Sequence, residues 1–395
     1  MKFTYTHTKY TCYLAYTISA LINNFPPLLF AAFTRDYGLT LGQLGAMLVI
    51  NFITQMLLDF LGARFIDKIG YRVSIVTANI LAALGFLMMA FLPSITGAPY
   101  VSLCISTVIY AVGSGIIEVL VSPIVEALPL DGKSSQMSLL HSFYCWGSVL
   151  VILLSTVFFK IFGLKNRVLL TCLWAILPIV SAILFSVVPI KPLVEDEADK
   201  VGLRKLAAMP NFILYMVLMT SAGAAELAVA QWASLFAESG LGVSKAVGDL
   251  LGPCMFAVFM GVSRVLYACF HKKWRLGDFI AVCAGGCVLS YMIITLSPNP
   301  LVSLAGCALC GFFVGIMWPG VLSLASANIP GGGTALFGIL AFAGDIGCTL
   351  GPEVVALTSG FGIFESPLRT GILCAAVFPL ITLAAISILK FKKAV

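Results

Sequence analysis

Residues 167–189 read RVLLTCLWAILPIVSAILFSVVP, twenty-three residues of which only Arg167 is charged, and residues 190–205 continue as IKPLVEDEADKVGLRK. At 1.5 Å per helical residue the first stretch is long enough to cross a hydrocarbon core of about 30 Å. The second is the most polar part of the chain, with Glu195, Asp196, Glu197 and Asp199 close together. A membrane-length apolar run that gives way to a charged linker divides the chain near its middle.

Similar apolar runs lie on both sides of this junction. Before it they fall near residues 11–33, 40–62, 73–94, 99–125 and 135–162; after it near 210–237, 245–271, 278–296, 300–326, 334–359 and 368–389. The pattern predicts an all-α integral membrane protein of twelve transmembrane helices: a six-helix bundle over 1–190, a cytoplasmic linker over 191–208 and a second six-helix bundle over 209–395. A weak repeat supports two related halves, since Gly62–Arg64 is echoed by Gly261–Arg264 and Pro123 by Pro319. Bundles so repeated are related by a pseudo-two-fold axis.

Composition narrows the function classes. The chain is 60% hydrophobic and 10% charged, against about 25% charged in a soluble domain. Its net charge of +6 is carried mostly in short segments between spans, so it reports orientation rather than nucleic-acid binding. With both termini cytoplasmic, seventeen Lys and Arg lie inside and six outside, namely Arg35, Lys160, Lys165, Arg167, Lys245 and Arg369. That asymmetry predicts a multi-pass plasma-membrane protein with both ends in the cytoplasm. The first run is too long for a signal peptide and has no small-residue cleavage site, so a retained helix is expected.

Twelve cysteines sit mostly within apolar runs, and the Cys307–Cys310 CxxC has no second pair or histidine beside it, so small packing residues are expected rather than a metal site. Three histidines, His7, His141 and His271, give no nucleophile–base set for an intramembrane enzyme. No cofactor or metal is implied. No repeated pore segment marks a channel and no signalling domain marks a receptor. The expected partners are a small-molecule solute, protons and the lipid bilayer, with the chain a monomer.

Ionisable groups within spans carry the chemistry, because each costs at least about 2.5 kcal/mol at a helix centre and requires a partner, a wet cavity or a function. The embedded acids are Asp59, Glu118, Glu226, Asp345 and Glu353; the main basic group at that depth is Arg264, and His141 is the one histidine well inside a span. Glu118 lies in a Gly113-to-Pro123 segment whose glycines allow close helix approach, and it is expected to bind solute or a proton. Glu226 could share a cavity with Gln231 or Trp232 if its helix is locally irregular. Asp59, one turn from Gln55, and Asp345, between Gly344 and Gly347, are further proton-coupling candidates. Tyr144, Trp146, Trp232 and Trp318 offer flat faces of the kind that stack on sugar rings, with Trp232 and Trp318 set apart by the polar and proline features beside them.

The segment Gly62-Ala-Arg64-Phe-Ile-Asp67-Lys68-Ile-Gly70-Tyr-Arg72 resembles the signature loop of the major facilitator superfamily, with an acid, a glycine three residues later and then a base. It departs at Ala63, where the family usually has glycine. The resemblance implies a gating loop built on Asp67, Gly70 and Arg72. Three stretches are similar to the fucose permease branch: Glu118 with Ser122-Pro123, Ala225-Glu226 through Trp232, and Trp318-Pro319 with Ser323-Leu324. That branch has an acid in its first helix, where this chain has Ile22-Asn23-Asn24-Phe25-Pro26, and a polar residue in its fifth near Tyr144. The resemblance implies a secondary transporter that takes up a small polar solute such as a sugar with protons, by alternating access. Its solute contacts would be Asn24, Glu118, Tyr144, Glu226, Gln231, Trp232 and Trp318. The competing expectation is a proton-coupled antiporter that exports drugs or other metabolites. Many such exporters have a Gly-Pro motif in the fifth helix, which lacks proline here, although Gly347 to Pro352 forms a similar pattern in the eleventh span.

Overall fold

Long apolar runs in a solvent without hydrogen-bonding partners must satisfy their own backbone, and the helix does so within one segment. The computed structural model describes residues 3–39, 41–191, 193, 201–233, 236–237 and 250–391, and among them every regular element is helical. The helices are α1 Tyr5–Leu28, α2 Phe30–Tyr37, α3 Leu41–Ile69, α4 Tyr71–Ile95, α5 Pro99–Ala127, α6 Lys133–Phe162, α7 Arg167–Val187, α8 Leu203–Ala207 and α9 Pro210–Ala230. They continue, after a π turn at Leu250–Cys254, with α10 Met255–Phe270, α11 Leu276–Leu296, α12 Pro300–Val314, α13 Met317–Asn328, α14 Gly333–Thr358, α15 Pro367–Ala375 and α16 Val377–Phe391. Among the described residues ten segments are long and apolar enough to cross a bilayer, and a shorter apolar one covers Ala46–Gly62 within α3.

Prolines set where the expected spans break. The run expected over 11–33 forms α1 and α2, interrupted at Leu29, because Pro26 and Pro27 bring no N–H to the helix and fix their own φ; the Leu29 N–H bonds back to Pro26 O at 3.0 Å. The run expected over 300–326 becomes α12 and α13, divided at Gly315 and Ile316, four and three residues before Pro319. The twelfth divides at Ala376, just before Pro379. Proline starts helices at Pro99, Pro210, Pro300 and Pro367, where its missing N–H costs nothing, whereas Pro93, Pro123, Pro178 and Pro352 lie inside helices that continue past them.

The chain groups into two compact units. Unit 1 comprises Met1–Pro129, Trp146–Ala198 and Gly333–Gly338; unit 2 comprises Leu130–Cys145, Asp199–Gly332 and Ile339–Val395. In unit 1, Phe25 packs edge-on against Phe86 and Trp174, and Phe86 stacks on Tyr110. In unit 2, α9 and α14 approach to backbone contact: a methyl group at Gly347 would lie 1.9 Å from Thr220 O, and one at Gly351 2.3 Å from Ala224 O. Such small-residue crossings hold helices by dispersion, since lipid is as apolar as the protein interior.

Gly70 joins α3 to α4 with φ of 95°, a conformation that favours glycine. Arg72 then donates to the carbonyls of Phe185, Ser186 and Val188 at 2.7–2.8 Å, capping the C-terminal end of α7 with a cation. The side chain of Asp67 and residues 194–200 of the expected linker lie outside the described residues. At the far end of α2, Asp36 pairs with Arg35 at 2.6 Å and with Arg167 at 2.5 Å. The Arg35 hydrogen bond holds the Asp36 carboxyl below the usual carboxylate range. All twelve cysteines are free thiols.

Candidate functional site

Helical spacing places polar residues on single faces of three helices in unit 1. On α1 these are Tyr16, Ser19 and Asn23; on α3 Asn51, Gln55 and Asp59; on α5 Ser114, Glu118 and Ser122. Residues three or four apart share a face, so each set forms a ladder. Asn23 Oδ1 accepts from Asn51 Nδ2 at 2.9 Å and from Gln55 Nε2 at 3.0 Å. Gln55 Oε1 in turn accepts from the Ser114 hydroxyl at 3.0 Å, which also lies 3.3 Å from Ser19 Oγ. Tyr16 OH meets Ser122 Oγ at 3.4 Å. The result is a seam of neutral amides and hydroxyls where α1, α3 and α5 meet.

Two acids share the faces of this seam. Glu118 is half-buried and one turn from both Ser114 and Ser122, whose partners are on α1 and α3. Asp59 is fully buried, one turn beyond Gln55. Gly115 lets α5 close on α3, since a methyl group there would lie 2.7 Å from Leu58 Cβ. Asn24 points elsewhere, donating to Ala20 O at 2.8 Å and to Ser148 Oγ at 3.1 Å.

Unit 2 carries a different centre. Arg264 of α10 is 4% exposed and its guanidinium is engaged on three sides. Nε donates to Gly315 O at 2.7 Å; Nη1 donates to His141 O at 2.8 Å and to Cys145 Sγ at 3.1 Å; Nη2 lies 3.9 Å from Glu226 Oε2. The Gly315 contact has a sequence cause. In an unbroken helix Gly315 O would accept from residue 319, which is proline and has no N–H, and the guanidinium supplies the missing donor. Beside Glu226, Tyr291 OH donates to Ala225 O at 2.8 Å.

The aromatic candidates Tyr144, Trp232 and Trp318 also belong to unit 2. Trp232 follows the end of α9, in a turn, and its Nε1 donates to Pro352 O at 3.2 Å. Gln231, in the same turn, is exposed and its side chain is not drawn to Glu226 by any contact among the described residues. Trp318 lies against Gly344, where a methyl group would come within 2.2 Å of its ring, next to the half-buried Asp345. Tyr144 is half-buried on α6, and Glu353 is exposed. Among the described residues no cluster of His, Cys, Asp and Glu could hold a metal ion.

Sequence reading singled out Glu226 and Asn24, noted Gln55 only beside Asp59, left Asn23, Asn51 and Ser114 aside, and treated Arg264 only as a counter-charge. A usable signal existed: Asn51, Gln55 and Asp59 recur at intervals of four in an otherwise apolar helix.

Neutral amides and a buried ion pair at bilayer depth cost free energy that a passive anchor has no reason to bear, whereas a solute pathway uses them. The class is that of a multi-pass membrane transporter, not an enzyme. The chain belongs to the Major Facilitator Superfamily, whose family model matches residues 12–352. No curated protein matches it in sequence. The solved structure of the E. coli fucose:proton symporter superposes with a TM-score of 0.82 over 98% of this chain and 99% of that one, at 15% identity. The proton:xylose symporter bound to 6-bromo-6-deoxy-D-glucose gives 0.79 over 98% and 95%, at 14% identity. A bacterial homologue of the iron transporter ferroportin, in an outward-facing state, gives 0.78 over 98% and 99%, also at 14%. At these identities the likeness is one of fold.

Proposed function

We propose that this chain takes up a small polar solute such as a sugar together with protons, by alternating access. The seam of unit 1 carries the reading: neutral amides and hydroxyls suit a hydroxylated solute, and the acids Glu118 and Asp59 on the same helix faces suit proton coupling. Superposition on fucose and xylose symporters supports it, as do the three motifs that resemble the fucose permease branch. Solute contacts are assigned to Asn24, Glu118, Tyr144, Glu226, Gln231, Trp232 and Trp318; proton coupling to Glu118, Asp345 and Asp59; and gating to the loop with Asp67, Gly70 and Arg72. The proposed architecture is twelve spans in two six-helix bundles, residues 1–190 and 209–395, joined by a cytoplasmic linker over 191–208. The chain would act as a monomer in the plasma membrane with both termini cytoplasmic.

The test is uptake into proteoliposomes of labelled sugars and polyols under an inward proton gradient. Accumulation that a protonophore abolishes is expected. Gradient-driven extrusion of lipophilic drugs with no sugar or polyol uptake would establish the exporter instead. For orientation, cysteines introduced at Lys200 and Lys392, both outside the described residues, should resist impermeant thiol reagents applied to intact cells.

A further inference from the structure

The turn between α10 and α11 reads Phe270-His-Lys272-Lys273-Trp274-Arg275, three cations in four residues, with no acid in the sequence between Asp249 and Asp278. Lys272, Lys273, Trp274 and Arg275 are all exposed. The acid that closes this interval is already neutralised, because Asp278, in the first turn of α11, pairs with Lys390 of α16. The turn is packed against the fold. Trp274 meets Phe279 edge-on at 6.1 Å and Phe279 packs on the buried Tyr267 at 5.0 Å, yet the tryptophan stays 51% exposed. Toward the bilayer the outer face of α10 is apolar: Leu266 and Phe270, one turn apart, are 41% and 50% exposed. Lys273 Nζ sits 5.5 Å over the Phe270 ring, so an ammonium is held at the edge of this apolar stripe, where the span ends. The junction of α6 and α7 also exposes Lys160 and Lys165 beside apolar Ile161 and Phe162, but those lysines are five residues apart and Arg167 there is paired with Asp36.

We propose that the α10–α11 turn binds the phosphate of an anionic phospholipid headgroup through Lys272, Lys273 and Arg275, with Trp274 at headgroup level and Phe270 against the upper acyl chain. Ammonium and guanidinium groups donate charge-assisted hydrogen bonds to phosphate oxygens. Each cation close to an anionic membrane surface strengthens the attraction about fivefold. A zwitterionic headgroup brings its own cation, which competes for the same phosphate, whereas an anionic one leaves that phosphate to the protein. Indole rings favour the headgroup depth, where one edge is wet and the face is apolar. The apolar stripe selects a lipid over a free phosphate, since only a lipid lays a chain along Leu266 and Phe270. The proposal is independent of the solute and of which side of the membrane this end faces.

Quenching of tryptophan fluorescence in the full chain, reconstituted in phosphatidylcholine nanodiscs, tests it. Bromine on the upper acyl chain is carried either by phosphatidylglycerol or by phosphatidylcholine, at the same low mole fraction. The chain has five tryptophans, so the share due to Trp274 is the signal that Trp274→Phe removes. That share should report phosphatidylglycerol enriched about tenfold over phosphatidylcholine. Replacing Lys272, Lys273 and Arg275 together by Gln should bring the ratio to about one. Lys273→Gln alone should lower it about threefold, and it carries the test if the triple variant does not fold. Lys160→Gln with Lys165→Gln removes two exposed lysines at the other junction and should leave the ratio as in the wild type. Equal quenching by the two lipids in the wild type overturns the site. So does an undiminished ratio in the triple variant or in Lys273→Gln. An equal fall in the Lys160 and Lys165 double variant would reduce the effect to net charge and overturns the site as well. Added inorganic phosphate, at constant ionic strength, should leave the ratio unchanged; loss of the enrichment would overturn the assignment to a lipid in favour of a free anion.

Discussion

The two units solve the same problem, polar groups at bilayer depth, by opposite means. Unit 1 uses amides and hydroxyls that share their hydrogen bonds along a seam, each contact contributing about 1 kcal/mol net. Unit 2 concentrates its polarity in one cation, Arg264, bound to two backbone carbonyls, a thiol and the Glu226 carboxylate. A neutral seam can exchange one partner for a solute hydroxyl at small cost. A guanidinium held on three sides cannot leave its place so cheaply, because removing one member of a buried pair strands the other. Polarity is thus distributed along helix faces in unit 1 and anchored on one side chain in unit 2.

The strongest way to break this contrast is Arg264→Met. It should destabilise the protein by about 3–5 kcal/mol in thermal unfolding, since the half-buried Glu226 carboxylate would be left without its partner and Gly315 O would lose its donor. Adding Glu226→Gln should recover part of the loss. If the single and double variants melted alike, the ion pair would not be what makes Arg264 costly to remove.

Next in size is the effect on coupling. Glu118→Gln keeps the shape and a neutral hydrogen-bonding head and removes the titration. Solute exchange should persist in proteoliposomes while gradient-driven accumulation falls to the equilibrium level. Glu226→Gln should instead weaken solute affinity and leave the proton stoichiometry alone. Unchanged proton uptake in Glu118→Gln would shift attention to Asp345 or Asp59.

The neutral seam should be cheaper to injure. Gln55→Leu removes one donor and one acceptor and should cost about 1–3 kcal/mol, below the cost of Arg264→Met. A larger loss would mean that the seam behaves as a rigid unit. Smallest of all is Asp36→Asn at the end of α2. The folded carboxyl titrates below its unfolded value, so its contribution is present above about pH 4 and lost as pH falls through the folded value. The variant should melt slightly below the wild type at pH 7, and the gap should close only in acid.

The helices were legible because bilayer length and apolarity leave little choice, and most expected ends fall within a few residues of those observed. The interruption of the first run at Pro26 and Pro27 was legible, but the breaks at Gly315 and Ala376 were not placed, although Pro319 and Pro379 were visible. Proline says that a hydrogen bond is missing, not how the chain relieves it. Glu226 stood out because an acid in an apolar run is conspicuous. Asn51 did not, because an amide is cheap enough to pass as packing and its importance depends on Asn23, twenty-eight residues away. The polar ladder on α3 was written in the sequence, but which helix it faces is a tertiary fact.

The bond from Arg264 to Gly315 O exists because position 319 is proline. The two residues are therefore one inherited character rather than two. A descendant chain that replaces Pro319 regains a backbone donor for Gly315 and releases a constraint on Arg264, after which lysine or a neutral residue at 264 becomes admissible. A chain that keeps Pro319 cannot drift at 264 without leaving a carbonyl orphaned. Lineages should gain and lose the pair together, and a comparison of descendant sequences in which 319 varies while 264 stays arginine throughout would argue that its other partners, His141 O, Cys145 and Glu226, hold it.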